Sequence, residues 1–375
     1  MAKNIYIGVS SKARKTKKIY IGVSGKARKV KKGYIGVGGK ARLFYRYGTF
    51  SYYGAITALA SARQDLAATT VGSYALFGGG SYSSQVDAYN TSLTKSTPTA
   101  LSASVKELAA TTIGNYALFG GGVYSSTYYA TVNAYNASLT KSTPTALSLA
   151  RYNLKATTIG NYALFGGGYS SNGSANTVDA YNASLTRSIP TTLSYSTDSL
   201  AATTIGNYAL FGGGFNSSSG SQHSTVNAYN TSLTRSIPTA LSRTRSQLTA
   251  TALSTYALFA GGYSGVSNVV DAYNTSLTRS TPTALSVARR FLAATAIDRD
   301  YALFGGGDPL GGSYSSTVEV YDTSLTQTIP TGLSVGRSNL AATTVGDYAL
   351  FGGGYGYISS YSRGDMSNVD AYHYG

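Results

Sequence analysis

The chain has 375 residues, 42% hydrophobic and only 12% charged, with 44 Gly, 34 Tyr and neither Cys nor Trp. That profile excludes a disordered chain, which is rich in charge and poor in aromatics. It argues against a helical one, because Tyr, Thr and Val favour strands while Gly, Ser and Asn favour the turns between them.

Without Cys there are no disulfides, thiolate metal sites or cysteine nucleophiles. The net charge of +16 is concentrated at one end: residues 1–47 hold 14 Lys/Arg and no acid, whereas residues 48–375 hold 16 Lys/Arg against 14 Asp/Glu, or +2. Two segments with different roles follow. No secretory signal and no run of about 18 apolar residues is visible, so membrane insertion is not expected.

The first segment, 1–47, is a repeat of period 14: IYIGVSSKARKTKK (5–18), IYIGVSGKARKVKK (19–32) and GYIGVGGKARLFY (33–45). IYIGV alternates with period 2, and Ser24–Gly25 or Gly38–Gly39 suits a tight turn. Each unit therefore predicts a small hairpin with a basic second strand. Isolated hairpins are marginal, so this arm is expected to order against a partner. Tyr6, Arg14, Lys15, Tyr20, Arg28, Lys29, Tyr34 and Arg42 are its docking candidates. An acidic protein surface is one expected partner; nucleic acid, bound through neutralised phosphates, is the other.

The second segment, 48–375, repeats on a longer period. ALFGGG occurs at 75–80, 117–122, 163–168, 209–214, 302–307 and 349–354, with ALFAGG at 257–262, spaced by 42 to 48 residues. In the first copy LAATT (66–70), YALFGG (74–79), VDAY (86–89) and KSTPTAL (95–101) read as four strands. Four strands per repeat is the β-propeller blade pattern, so seven copies predict an all-β, seven-bladed propeller. The seventh copy stops at its third strand, and a spare fourth-strand pattern stands at 53–63. Residues near 53–60 are therefore expected to complete the last blade and remove a free edge. The small residues of the first strands predict an open, water-filled axial channel.

Two segments vary among the copies: the loop from second to third strand, and the link from fourth to first. Both lie on one face of an up-and-down blade disc, whereas the nearly invariant turns lie on the other. Loops on a rigid scaffold are where binding residues usually sit, and Tyr with Ser, Gly and Asn suits adaptable recognition. The candidates on this face are Arg63, Asp65, Tyr82, Lys106, Glu107, Tyr124, Tyr128, Tyr129, Arg151, Tyr152, Tyr169, Asn172 and Asp198. Phe215, Arg245, Tyr263, Arg289, Arg290, Phe291, Asp308, Arg337, Tyr355, Tyr357, Tyr361 and Arg363 complete the set.

Other recurring residues read as structural. Asp87, Asp179, Asp271, Glu319 and Asp370 share one third-strand position, with Asn133 and Asn227 in the two remaining copies, which predicts a structural hydrogen bond. Asn90, Asn136, Asn182, Asn230 and Asn274 match a glycosylation acceptor, but their fixed place, with Asp322 in a sixth copy, predicts Asx-type turns.

The repeats resemble the kelch motif: Gly78–Gly79 ends the second strand, Tyr74 precedes it, and Val86, Tyr89 and Asn90 follow, a pattern the other six copies repeat with Ala260 for the first Gly in one and Asp322 or His373 for the Asn in two. Kelch blades usually carry a Trp after that Tyr, which this chain lacks. The arm strings YIGVSGKARKVKK and YIGVGGKARLFY resemble N-terminal repeats of tail-associated proteins of phages and prophages of Gram-positive gut bacteria. That resemblance implies a virion (tail) protein that docks through residues 1–47 onto other virion proteins. Its propeller would face a host cell-surface glycan or protein, and a homo-oligomer is implied by analogy alone. The alternative is a protein-interaction propeller of the bacterial cytoplasm, its arm bound to nucleic acid or an acidic partner.

No HExxH, P-loop or GxSxG is present. The copper chemistry of galactose-oxidase-type propellers needs a Cys–Tyr crosslink, which a chain without Cys lacks. No unique carboxylate pair stands out for glycoside hydrolysis. A non-enzymatic binding or structural protein, with no cofactor and no metal, is therefore expected.

Overall fold

The computed structural model describes residues 50–359 and 361–374, together with the backbone of six strands within the first 49 residues. Among the described residues there are strands and turns and no helix, so none is long and apolar enough to cross a membrane.

Seven four-stranded antiparallel sheets stand as blades around an axis. The first comprises Ala67–Val71, Tyr74–Gly78, Val86–Asn90 and Lys95–Ser96. The fourth strand is shorter than expected, because Pro98 has no N–H to give to a ladder. In the last blade, Ala341–Val345, Tyr348–Gly352 and Val369–Tyr374 are completed by Phe50–Ile56. The closing strand lies a few residues earlier than 53–60, and a bulge between Ala371 and Tyr372 shifts its register. Its Tyr52 hydroxyl donates to Asp370 at 2.6 Å.

Apolar side chains fill the gaps between neighbouring blades. Leu118, Val132 and Ala134 of the second blade meet Ala163, Phe165 and Tyr181 of the third. The same arrangement joins Leu350, Val369 and Ala371 of the last blade to Ala75, Phe77 and Tyr89 of the first, closing the circle. ALFGGG now has a physical reading. The Phe of one blade lies on the first Gly of the preceding blade, so that a Cβ on Gly78 would sit 2.8 Å from the Phe119 ring. The next Gly is left-handed, and a Cβ on Gly79 (φ +68°) would meet Leu108 and the Val105 carbonyl at 2.8 and 2.9 Å.

The Tyr of V-x-x-Y ties blades together in place of a Trp. Tyr89, Tyr135, Tyr181, Tyr229, Tyr273, Tyr321 and Tyr372 are fully buried. Each donates its hydroxyl to a Thr carbonyl at the outer edge of the preceding blade, at 2.7 to 2.9 Å. Asx turns close the third-to-fourth connections, as in Asn90, whose Oδ1 accepts from Ser92 and Thr94 N–H groups at 3.0 and 2.9 Å.

The recurring acids are indeed structural, and their partners are five of the expected binding residues. Arg63, Arg151, Arg245, Arg289 and Arg337 are fully buried, not displayed on a binding face. They pair with Asp87, Asp179, Asp271, Glu319 and Asp370. Where the acid is Asn133 or Asn227, the matching Arg position holds Val105 or Thr197. Both charges are present in a blade or both are absent, as expected when an unpaired buried charge costs several kcal/mol.

In the arm, Tyr6–Val9 pairs with Lys12–Lys15, Tyr20–Val23 with Lys26–Lys29, and Lys32–Val37 with Lys40–Arg46, so each 14-residue unit forms a hairpin. The side chains proposed for docking, Tyr6, Arg14, Lys15, Tyr20, Arg28, Lys29, Tyr34 and Arg42, lie outside the described residues.

Candidate functional site

The two variable segments do share a face. After each fourth strand the chain meets the residue following the glycines, as in the bridges Lys106 with Val123, Tyr152 with Tyr169 and Asp198 with Phe215. Just inside these bridges lies a ring. Asp65, Glu107, Asn153, Ser199, Gln247, Phe291 and Asn339 occupy one equivalent position in the seven blades. Each donates its backbone N–H to the carbonyl of the preceding member, Asp65 to Asn339, at 2.8 to 3.1 Å. All seven are left-handed, with φ between 52° and 58°.

That conformation costs an ordinary L-residue roughly 1–2 kcal/mol, and glycine would relieve it. Glycine occurs at none of the seven positions, and six residue types fill them. Strain retained around an opening is a pointer to function. The ring surrounds an axial funnel of about 470 Å³, with Leu66, Leu108, Leu154, Leu200, Leu248, Leu292 and Leu340 behind it.

The funnel walls are not uniform. Lys106 reaches Glu107 at 3.0 Å and Asp65 at 3.7 Å. Burial, reinforced by Glu107, pushes the Asp65 carboxyl up to about 6, although Lys106 pulls the other way. Lys155 stands at the funnel throat where the other blades have Ala67, Ala109, Ala201, Thr249, Ala293 and Ala341. Its side chain is exposed within the funnel, yet the surrounding protein desolvates the ammonium and lowers its pKa, although Asp65 and Glu107 pull the other way. Across the ring, Arg290 lies over Phe291 at 5.0 Å and over Tyr263 at 5.1 Å. Arg290 is anchored by Asp308 at 3.1 Å and donates to Gln247 at 3.3 Å.

Two aromatic groups rise outside the funnel. Over the first three blades, Tyr82 packs edge-on to Tyr124 with centroids 5.4 Å apart, and Tyr128, Tyr152 and Tyr169 form a trio. Over the last two, Tyr314 meets Tyr355 and Tyr357, with Arg363 at 4.9 Å from the Tyr357 ring. Several loops stand as short hairpins, such as Tyr169–Ser170 with Gly173–Ser174, so they present these side chains from ordered backbone. Asn172 and Tyr361 are exposed at loop tips, Phe215 is half-buried, and Tyr129 packs against the core.

Asp198 is a further correction. It is buried, and both its oxygens are engaged, by Ser174 at 2.7 Å and Ser199 at 2.8 Å. Selecting charged and aromatic residues in the links found Asp65, Glu107 and Phe291 but missed Asn153, Ser199, Gln247, Asn339 and Lys155. The signal was available: the first four share a repeat column with the residues that were found.

Behind the funnel, the first strands line a second cavity of about 380 Å³ with threonines. The passage is less open than expected, because Arg299 donates to the Thr204 carbonyl at 2.9 Å. Arg299 sits in a first-to-second turn, Asp298–Asp300, one residue longer than its counterparts. The invariant face therefore has one exception.

The fold and this face define a seven-bladed β-propeller with an axial funnel. No protein-family model and no curated protein sequence matches the chain. Among solved structures, YjhT is similar with a TM-score of 0.61 and 13% identity, over 74% of this chain and 99% of that one. At that identity the likeness speaks to the fold alone. Among the described residues no group of three or more His, Cys, Asp or Glu is placed to hold a metal ion.

Proposed function

We propose that this chain, a kelch-type propeller, is a non-enzymatic binding protein. Its variable face engages a cell-surface glycan or protein, and its basic N-terminal arm docks it into a larger particle, as in a phage or prophage tail. The observation that carries this reading is the distribution of change among the blades. Positions that pack blades together repeat or change in matched pairs, whereas the funnel ring and the Tyr-rich loops differ from blade to blade on one face. The arm has the charge to seat against an acidic protein surface.

The test is binding of the full-length chain to intact Gram-positive gut bacteria. It is compared with a variant in which Tyr82, Tyr124, Tyr128, Tyr152 and Tyr357 are Ser, all half-buried or exposed. Binding lost by the variant, with an unchanged unfolding midpoint, is expected. Equal binding by both proteins, or none by either, overturns the assignment to this face.

A further inference from the structure

Resting on that reading of the variable face, we propose that the axial funnel is a subsite for one uncharged pyranose at the end of a glycan. The apolar face of the sugar lies on Phe291, and its hydroxyls bond to the opposite wall. The volume of about 470 Å³ is that of a small-molecule pocket. Entry is from the variable face, where the ring of links forms the mouth of the funnel.

In the order of the ring, Phe291 is sixth and Glu107 and Asn153 are second and third. In a circle of seven, those two stand opposite the sixth. The funnel thus sets an aromatic ring against an acceptor and an amide, with Lys155 beside Asn153. A pyranose has this division: a C–H face, and a rim of hydroxyls that both donate and accept.

The charge balance points to a neutral occupant. Asp65 and Glu107 are offset by Lys106 and Lys155 around the same wall. Among the described residues, Asn153 and Lys155 have no side-chain partner within hydrogen-bond distance, so their donors are available. Phe291 is the costliest member of the ring, since a bulky aromatic in the left-handed region is an outlier. Its Arg290 cover, fixed by Asp308 and Gln247, holds it in place. Arg290 is thereby a positioning residue.

The test is a calorimetric and array screen of the full-length chain against methyl pyranosides and oligosaccharides, neutral and acidic, together with cell binding. The variants are Phe291→Asn and Asn153→Ala. Asn already occupies this ring position in two blades, Asn153 and Asn339, so Phe291→Asn keeps the backbone. A neutral pyranoside or glycan terminus is expected to bind, with Phe291→Asn weakening it about tenfold or more and Asn153→Ala several-fold. The outer tyrosine variant should retain the monosaccharide while losing cells. The subsite fails if only acidic sugars bind, or if Phe291→Asn binds sugar as the parent does. It also fails if no sugar binds while cell binding still depends on the outer tyrosines, which would make the ligand a protein. Cell binding indifferent to both sets of variants overturns the reading of the face itself.

Discussion

Arg245 and Asp271 offer the sharpest test of how the blades are held. Both side chains are inaccessible to solvent and meet at 2.7 Å. Arg245 is poorly satisfied otherwise: it donates to the Phe259 carbonyl at 3.2 Å, while its Nε and Nη1 have no acceptor. Arg245→Val leaves a buried carboxylate that keeps Arg279 at 2.9 Å and the Ser242 N–H at 3.1 Å. Breaking a buried pair costs about 3–5 kcal/mol, and this remaining support puts Arg245→Val near about 3. Asp271→Asn strands a guanidinium with one acceptor and belongs near about 5. The double variant copies the second blade, where Val105 stands with Asn133 and the Asn133 Oδ1 accepts the Ser102 N–H at 3.0 Å. It should lie within about 1 kcal/mol of the parent, because removing both charges leaves no uncompensated one. Urea unfolding of the parent, both single variants and the double measures this cycle. A double variant as unstable as the sum of the singles refutes the account of the matched columns.

Asp65 predicts a pH dependence. Its folded value of about 6 lies above the ordinary 3.8, so the folded state binds the proton more tightly. That contribution, up to about 3 kcal/mol at 1.36 kcal/mol per unit, is fully present below about pH 4 and lost as pH rises through about 6. Asp65→Asn should flatten the unfolding midpoint across this window, and a curve parallel to the parent's would show that Asp65 is not its source. Deleting residues 1–47 should leave the propeller's midpoint unchanged. Deleting 1–57 removes Phe50–Ile56 together with the Tyr52–Asp370 bond and should abolish cooperative unfolding until a peptide spanning 48–60 is added. Identical melting of the two truncations would place the closure elsewhere.

The architecture was legible because the sequence states it seven times. Repetition turned weak local signals such as Gly78–Gly79 into a phase, and the unfinished last copy revealed its own completion. The missing Trp did not obscure the fold, since the Tyr column ties the blades through its hydroxyls. The site was less legible, for reasons that can be named. Arg63 and its equivalents lie in a variable link, so they read as surface. Their acids follow 24 to 33 residues later in another strand, and only contact shows the match. The joint loss at Val105–Asn133 and Thr197–Asn227 recorded it in the sequence all the same. The funnel ring was hidden because a left-handed φ carries no residue signature when Gly is absent. Arg299 was hidden because one long turn among seven passes for noise.

The ring explains why one face is free to differ. Its geometry is carried by backbone: seven N–H groups bond to seven carbonyls, and left-handed glycines such as Gly79 route the chain behind them. No side chain of the ring is needed to hold that circle, so each can change without loosening the blades. Such freedom alone would let the ring drift towards glycine, which relaxes the backbone at every position. Asp, Glu, Asn, Ser, Gln and Phe stand there instead, each bearing a conformational cost, at the mouth of a cavity. Ser199, Gln247 and Asn339 recover part of that cost by bonding to Asp198, Arg290 and Gln64, whereas Asn153 makes no such bond. Under the function proposed above, contact with a ligand in the funnel is what selects the side chains that have no partner in the scaffold, Asn153 above all.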